Sequence, residues 1–227
     1  MGGFFNMDGP FVRFGNAIAD IMILSVIWII FSIPIFTAGA ATTALFYVTT
    51  RRISDRQGYL FRDFYSSFKA NFKKATILWI LWLFLIGFIA NNIRLLINYE
   101  FNPTMAAILL PIQIVIMVEL VISSIYLYPI TARFEMDIPQ TIKTAFFMAN
   151  WHLITTISAL VTIAAIVFAA LMLFPPIFIV AMGLYSYLTS FMIMQVFKKY
   201  RPEIDADELA LEPLPTLDFS DDDDNTP

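Results

Sequence analysis

The sequence predicts an all-α membrane protein: a polytopic helix bundle of about five transmembrane helices plus two cytoplasmic amphipathic helices. Three observations lead there. The 227 residues are 59% hydrophobic and only 14% charged, whereas a soluble domain is about 45–50% apolar and about 25% charged. The apolar residues fall in long charge-free runs. The Lys and Arg residues between those runs lie almost entirely on one side.

A bilayer core about 30 Å thick takes roughly 20 apolar helical residues to cross. The first run, Ile21 to Thr50, has thirty residues without a charge, too many for a straight span and too few for two. Ile33-Pro34 and Gly39 interrupt it, so it is expected as a kinked or broken helix with halves Ile21–Phe36 and Ala40–Thr50. Ala38-Gly39-Ala40 has the form of a signal-peptidase site. The first twenty residues, however, carry Asp8, Arg13 and Asp20 in place of a basic leader, so the run reads as a span. Ala75–Ile93 is the second span. Met105–Ala132, with Glu119 as its one charge, is the third. Leu153–Phe197 is 45 residues without a charge, and Pro175-Pro176 divides it into spans four and five.

Orientation follows from the basic residues of short loops. Segment 51–74, segment 133–152 and the end of span five together hold twelve Lys and Arg; the opposite side has Arg13 and Arg94 alone. The basic loops and the C-terminus are therefore expected in the cytoplasm and the N-terminus outside. Residues 203–227 hold ten acids and no base. Residues 1–201 read as a membrane domain of net charge +6, and 202–227 as an acidic, disordered cytoplasmic tail. The overall charge of −4 describes neither part. There is no cysteine and one histidine, His152, which excludes disulfides, thiolate metal sites and multi-histidine metal motifs.

The first basic loop encodes an amphipathic helix. Phe61, Phe64, Tyr65, Phe68 and Phe72 share one helical face, and Arg62, Lys69 and Lys73 lie beside it. An aromatic-plus-basic helix suits the anionic inner leaflet, the underside of the bundle, or both, so Phe61, Arg62, Phe64, Tyr65, Phe68, Lys69 and Phe72 form a candidate cytoplasmic interaction face. The second loop carries a capping signal, Asp137-x-Pro139-Gln140, before the stripe Ile138, Ile142, Ala145 and Ala149.

The two loops resemble each other. Tyr47-x-x-Thr50-x-Arg52 ends span one and Tyr128-x-x-Thr131-x-Arg133 ends span three. Each precedes an amphipathic helix closing on Ala-Asn-aromatic, with Asn71 in the first and Asn150 in the second. A parallel repeat of span, helix and span over about 21–97 and 105–173 is expected.

Several segments together resemble the YesL-like family of integral membrane proteins of mainly Gram-positive bacteria, a domain of unknown function. They are Phe4-Phe5-Asn6, the run Ser32-Ile33-Pro34-Ile35-Phe36-Thr37-Ala38-Gly39-Ala40-Ala41-Thr42-Thr43-Ala44-Leu45, Gly58-Tyr59, Phe68-Lys69-x-Asn71-Phe72 and Tyr128-Pro129-Ile130-Thr131-Ala132-Arg133-Phe134-Glu135. The resemblance covers about residues 4–200. It implies a bacterial cytoplasmic-membrane location and an accessory role in carbohydrate uptake, with components of an ABC-type sugar transporter as partners. It carries no catalytic residue.

Glu119 is the one ionisable residue deep inside a span. A charge there costs at least ~2.5 kcal/mol on insertion scales, so the residue is a candidate proton, cation or substrate site. Gln113, Ser123 and Ser124 are its possible companions. The competing reading is a carboxyl hydrogen-bonded to a neighbouring helix. Thr42 and Thr43, beside the break in span one, form a second candidate polar site, because broken helices line substrate sites in transporters. Ser158, Thr162, Ala165 and Ala169 share one face of span four and read as a close-packing seam.

No phosphate-binding loop, metal cluster or nucleophile–base pair occurs, so neither an enzyme nor a cofactor is expected, and no nucleic-acid partner. Segment 133–152 contains no glycine, which removes the coupling loop of an ABC permease. The leading expectation is an accessory membrane protein. The alternative is a small transporter or channel using Glu119 and the broken first helix.

Overall fold

The computed structural model describes residues 10–53, 58–98, 103–172 and 176–200. The acidic tail, Phe4-Phe5-Asn6 and Arg201 lie outside the described residues. Among those described there is no strand. The chain is a helical bundle: α1 (Pro10–Ser32), α2 (Ala38–Ile53), α3 (Leu60–Asn98), α4 (Pro103–Arg133), α5 (Ile138–Trp151), α6 (Leu153–Met172) and α7 (Ile177–Tyr200). Five of these, α1, α3, α4, α6 and α7, are long and apolar enough to cross a membrane, which makes the chain an integral membrane protein of the multi-pass kind.

The break in the first apolar run falls where proline and glycine place it, but its geometry differs from the expected kink. Pro34 supplies no N–H donor and α1 stops at Ser32. A 3₁₀ turn, Ile35–Thr37, then leads into α2. In one continuous helix, Asp20 and Arg52 would stand about 48 Å apart. Instead Arg52 Nε lies 3.1 Å from Asp20 Oδ2, and Trp28 Nε1 donates to Thr42 Oγ1 at 3.1 Å. The first run is a hairpin whose second arm folds back along the first.

α2 is the innermost helix. It packs against α1, α3, α4 and α7, and eleven of its sixteen residues are buried. Small residues allow this. A Cβ on Gly39 would collide with Trp79 Cβ and come within 2.7 Å of the Ala75 carbonyl. The threonines of α2 hide their hydroxyls in the helix itself: Thr43 Oγ1 donates to the Gly39 carbonyl at 2.9 Å, Thr49 to Leu45 at 2.9 Å and Thr50 to Phe46 at 2.5 Å. A polar side chain thereby enters an apolar interior without an orphaned donor.

The aromatic helix of the first basic loop is not a separate element. No proline interrupts Leu60–Asn98, so it continues into the second span as one 39-residue helix. The second loop forms the expected separate helix, α5, with proline in its first turn, but Asp137 holds the N-cap position without the expected side-chain hydrogen bond to the helix. α5 ends at Trp151 with His152 as its C-cap, and Thr156 Oγ1 donates to the Ala149 carbonyl of its last turn at 2.8 Å. α4 contains Pro111 and Pro129 without a break. Two cores result. One joins α1, α2 and α3 through Leu24, Ile27, Leu45, Val48 and Phe64. The other joins α2 to α7 through Phe46, Leu78, Trp82, Tyr126, Leu127, Met148 and Ile193.

Candidate functional site

Glu119 sits half-buried on α4, facing α5. Two donors converge on its Oε1: Asn150 Nδ2 at 2.9 Å and Ser123 Oγ at 3.0 Å. Asn150 also donates to the Phe146 carbonyl one turn back, at 2.9 Å, which holds its amide toward the carboxylate. Sequence reasoning placed Ser123 beside Glu119 but missed Asn150, which came to notice only through the repeat. Gln113 is not brought in. Its Oε1 is buried with no hydrogen-bond partner among the described residues, and no bond joins it to Glu119. Ser124 donates to the Val121 carbonyl instead.

Glu119 therefore clamps α4 to α5. Glu119→Gln keeps an oxygen acceptor and is expected to leave stability near that of the native protein. Glu119→Leu removes the acceptor and is expected to cost about 1–2 kcal/mol, the scale of an interhelical bond in a membrane. Thermal unfolding of the purified variants in detergent checks both.

The second candidate, Thr42 with Thr43, is closed as well. Thr42 Oγ1 accepts from Trp28 and donates to the Ala38 carbonyl at 2.7 Å, and Thr43 is wholly buried. The Thr42 hydroxyl stitches the α1–α2 hairpin, and that of Thr43 bonds within α2.

A polar seam that the sequence did not reveal runs between α2 and α7. Thr49 Oγ1 lies 2.8 Å from Ser186 Oγ and 3.0 Å from Ser190 Oγ, all buried. Ser25 of α1 extends the seam. Its hydroxyl donates to the Ile21 carbonyl at 2.7 Å and accepts the Gly183 N–H at 3.1 Å. The available signal was Ser186 and Ser190 one helical turn apart in an otherwise apolar span.

The aromatic residues of α3 divide in two. Phe64 is fully buried, and Phe68 is half-buried against the Phe31 ring, with centroids 4.9 Å apart. Phe61 and Tyr65 stack on each other at 6.2 Å and stay 58% and 49% exposed. Phe72, Arg62 and Lys69 are exposed beside them. Asp63, on the inner flank, pairs with Arg51 at 3.6 Å, anchoring the start of α3 to the end of α2. The exposed part is an aromatic-plus-basic surface at the Arg51–Arg52 end of the hairpin.

The repeat residues show a shared pattern. Thr50 donates to the carbonyl of Phe46 and Thr131 to that of Leu127. Asn71 donates to Ser67 and Asn150 to Phe146. Tyr47 is half-buried and Tyr128 buried, while Arg52 and Arg133 are both half-buried. At a spacing of 81 positions, set by Tyr47 and Tyr128, buried residues coincide: Thr42 with Ser123, Leu45 with Tyr126, Phe64 with Ala145, Ser67 with Met148, Ala75 with Thr156, and Leu78 with Ala159. In that register Asn71 stands opposite His152, two places past Asn150.

Among the described residues no group of three or more His, Cys, Asp or Glu is placed to hold a metal ion. No curated protein and no solved structure matches the chain. Residues 21–93, which run from α1 through α2 and most of α3, match the model of a family described as a protein of unknown function, DUF624.

Proposed function

We propose that this chain is an accessory protein of the bacterial cytoplasmic membrane that recruits a partner through the exposed aromatic-plus-basic face of α3, in the service of carbohydrate uptake by an ABC-type transporter. One observation carries the reading. Phe61 and Tyr65 are left half-exposed beside Arg62 and Lys69, while the Thr42 and Thr43 hydroxyls are taken up by the protein itself. At Glu119 both donors converge on Oε1 and tie α4 to α5, which supports a structural role for this carboxylate. The one-sided basic residues support a cytoplasmic position for this face and the C-terminus. The sugar connection rests on the family resemblance of the sequence. The burial register favours a parallel repeat in which the α2–α3 and α4–α5 hairpins are two copies of one unit.

The test is co-purification. From native membranes, the tagged chain should retain sugar-transporter subunits above the level held by an unrelated membrane protein. The variant with Phe61→Ala, Tyr65→Ala and Phe72→Ala should lose them while remaining in the membrane. Equal retention by the triple variant would remove the α3 face from the proposal, and no retention by the native chain would remove the proposal itself.

A further inference from the structure

We infer that the acidic segment 203–227 is an internal cover for the basic side of α3, seated by charge on Arg62, Lys69 and Lys73. Its regulatory consequence rests on the function proposed above; the contact itself does not. The two partners are electrostatic opposites. Residues 203–227 hold ten acids and no base. Arg62, Lys69 and Lys73 are exposed on α3, across the helix from the fully buried Phe64. At 100° per residue they fall within an arc of about 40°. The ion pairs among the described residues use Arg51 and Arg52, so these three charges have no acidic partner there.

The fold brings the start of that segment to the same end of the bundle as the three bases. The Phe197 ring of α7 stands edge-on to Phe134 with centroids 5.1 Å apart, three residues before the helix ends at Tyr200. Phe134 opens the α4–α5 connection, whose Glu135 and Asp137 attract Lys74 of α3. A second path agrees. Ser190 Oγ of α7 lies 3.0 Å from Thr49 Oγ1 of α2. Two residues further along α2, Arg51 holds Asp63, the neighbour of Arg62, at 3.6 Å. Both paths are contacts of the bundle itself and hold whichever side of the membrane this end faces. From Arg62 to Lys73 α3 rises about 17 Å. The 21 residues from Tyr200 to Asp221 can span up to about 70 Å, so Asp221-Asp222-Asp223-Asp224 reaches all three bases. One exposed ion pair is weak, but the tether makes every further contact intramolecular. Phe61 and Tyr65 stack beside these bases. The acidic run offers them little, so a partner that brings both acidic and apolar surface displaces the segment and takes the face.

The native chain has no cysteine, so paired cysteines report without background. Ser66→Cys, exposed between Arg62 and Lys69, is combined with Asn225→Cys. Gln140→Cys, exposed at the start of α5, is combined with Asn225→Cys as the control for reach alone. The purified full chain is treated with a short bis-maleimide in uncharged detergent. At about 0.1 M salt the Ser66 pair should cross-link within one chain several-fold faster than the Gln140 pair. The two rates should converge at about 1 M, where the Debye length has shrunk from about 10 Å to about 3 Å. Asp221→Asn, Asp222→Asn, Asp223→Asn and Asp224→Asn together should bring the Ser66 pair down to the control rate. Equal rates at low salt would overturn the inference. So would loss of the Ser66 advantage in nanodiscs of anionic lipid, since the face would then belong to lipid headgroups. In native membranes the four substitutions alone should raise the transporter subunits retained by the tagged chain several-fold. Unchanged retention beside a positive cross-link would overturn the covering role. Retention by neither chain would remove the function proposed above, and the cross-link would still decide the contact.

Discussion

Gly39→Leu is expected to abolish most of the folded protein. The Cβ of any side chain there meets the Ala75 carbonyl at 2.7 Å and overlaps the Trp79 Cβ. Both are fixed parts of α3, so neither can swing aside as the end of a flexible side chain would. Overpacking typically costs 1–3 kcal/mol and occasionally more, and a full leucine against backbone should reach about 3 kcal/mol or beyond. The displaced contact is the one that sets α2 in the bundle and brings the Trp79 indole to the Ile35 carbonyl. Gly87→Leu is the control, because nothing lies within 4 Å of a Cβ at Gly87. The measurement is the monodisperse fraction remaining after heating in mild detergent. Equal midpoints for the two variants would show that the α2–α3 approach is not what holds the fold.

Phe64→Ala should produce the second large effect, and its contrast with its neighbours matters as much as its size. The Phe64 ring is 0% exposed and meets Phe31 edge-on with centroids 5.3 Å apart. Truncating a buried phenylalanine costs about 3–5 kcal/mol through lost contacts and the cavity left behind. Phe61→Ala and Tyr65→Ala remove half-exposed rings and should shift the unfolding midpoint little. If all three are equally destabilising, the exposed pair is structural and the proposed recruiting face loses its support. If only Phe64→Ala destabilises, loss of a partner in the other variants can be read as loss of binding.

Much of the architecture was legible because membrane helices announce themselves by length and lack of charge. The breaks at Pro34 and Pro176, the start of α5 after Asp137 and the membrane class all follow from local rules, although Asp137 makes no side-chain cap bond. The legibility ended where one element meets another. Glu119 was visible as a costly carboxylate, but its donor Asn150 lies 31 residues away on a different helix. The Thr49–Ser186–Ser190 seam spans more than 130 residues of chain, and a hydroxyl in an apolar run gives no sign of which helix it faces. Thr42 and Thr43 looked like a polar site beside a broken helix; Trp28 and the α2 carbonyls occupy them. The fusion of the aromatic helix to the second span was hidden by the charge change at Lys73-Lys74, which marks a change of surroundings and not the end of a helix.

From the sequence alone came the class of the protein, the positions of its apolar helices and the asymmetry of its basic residues. Each of these depends on composition within one segment. Only the tertiary structure decided that the first run doubles back, that α2 is the innermost helix, and which aromatic residues of α3 are left exposed. The physical reason lies in what a proline does. It ends a helix by removing a hydrogen bond, but it does not choose the direction in which the next helix sets out. That direction came from distant partners, Asp20 for Arg52, Trp28 for Thr42 and Trp79 for the Ile35 carbonyl.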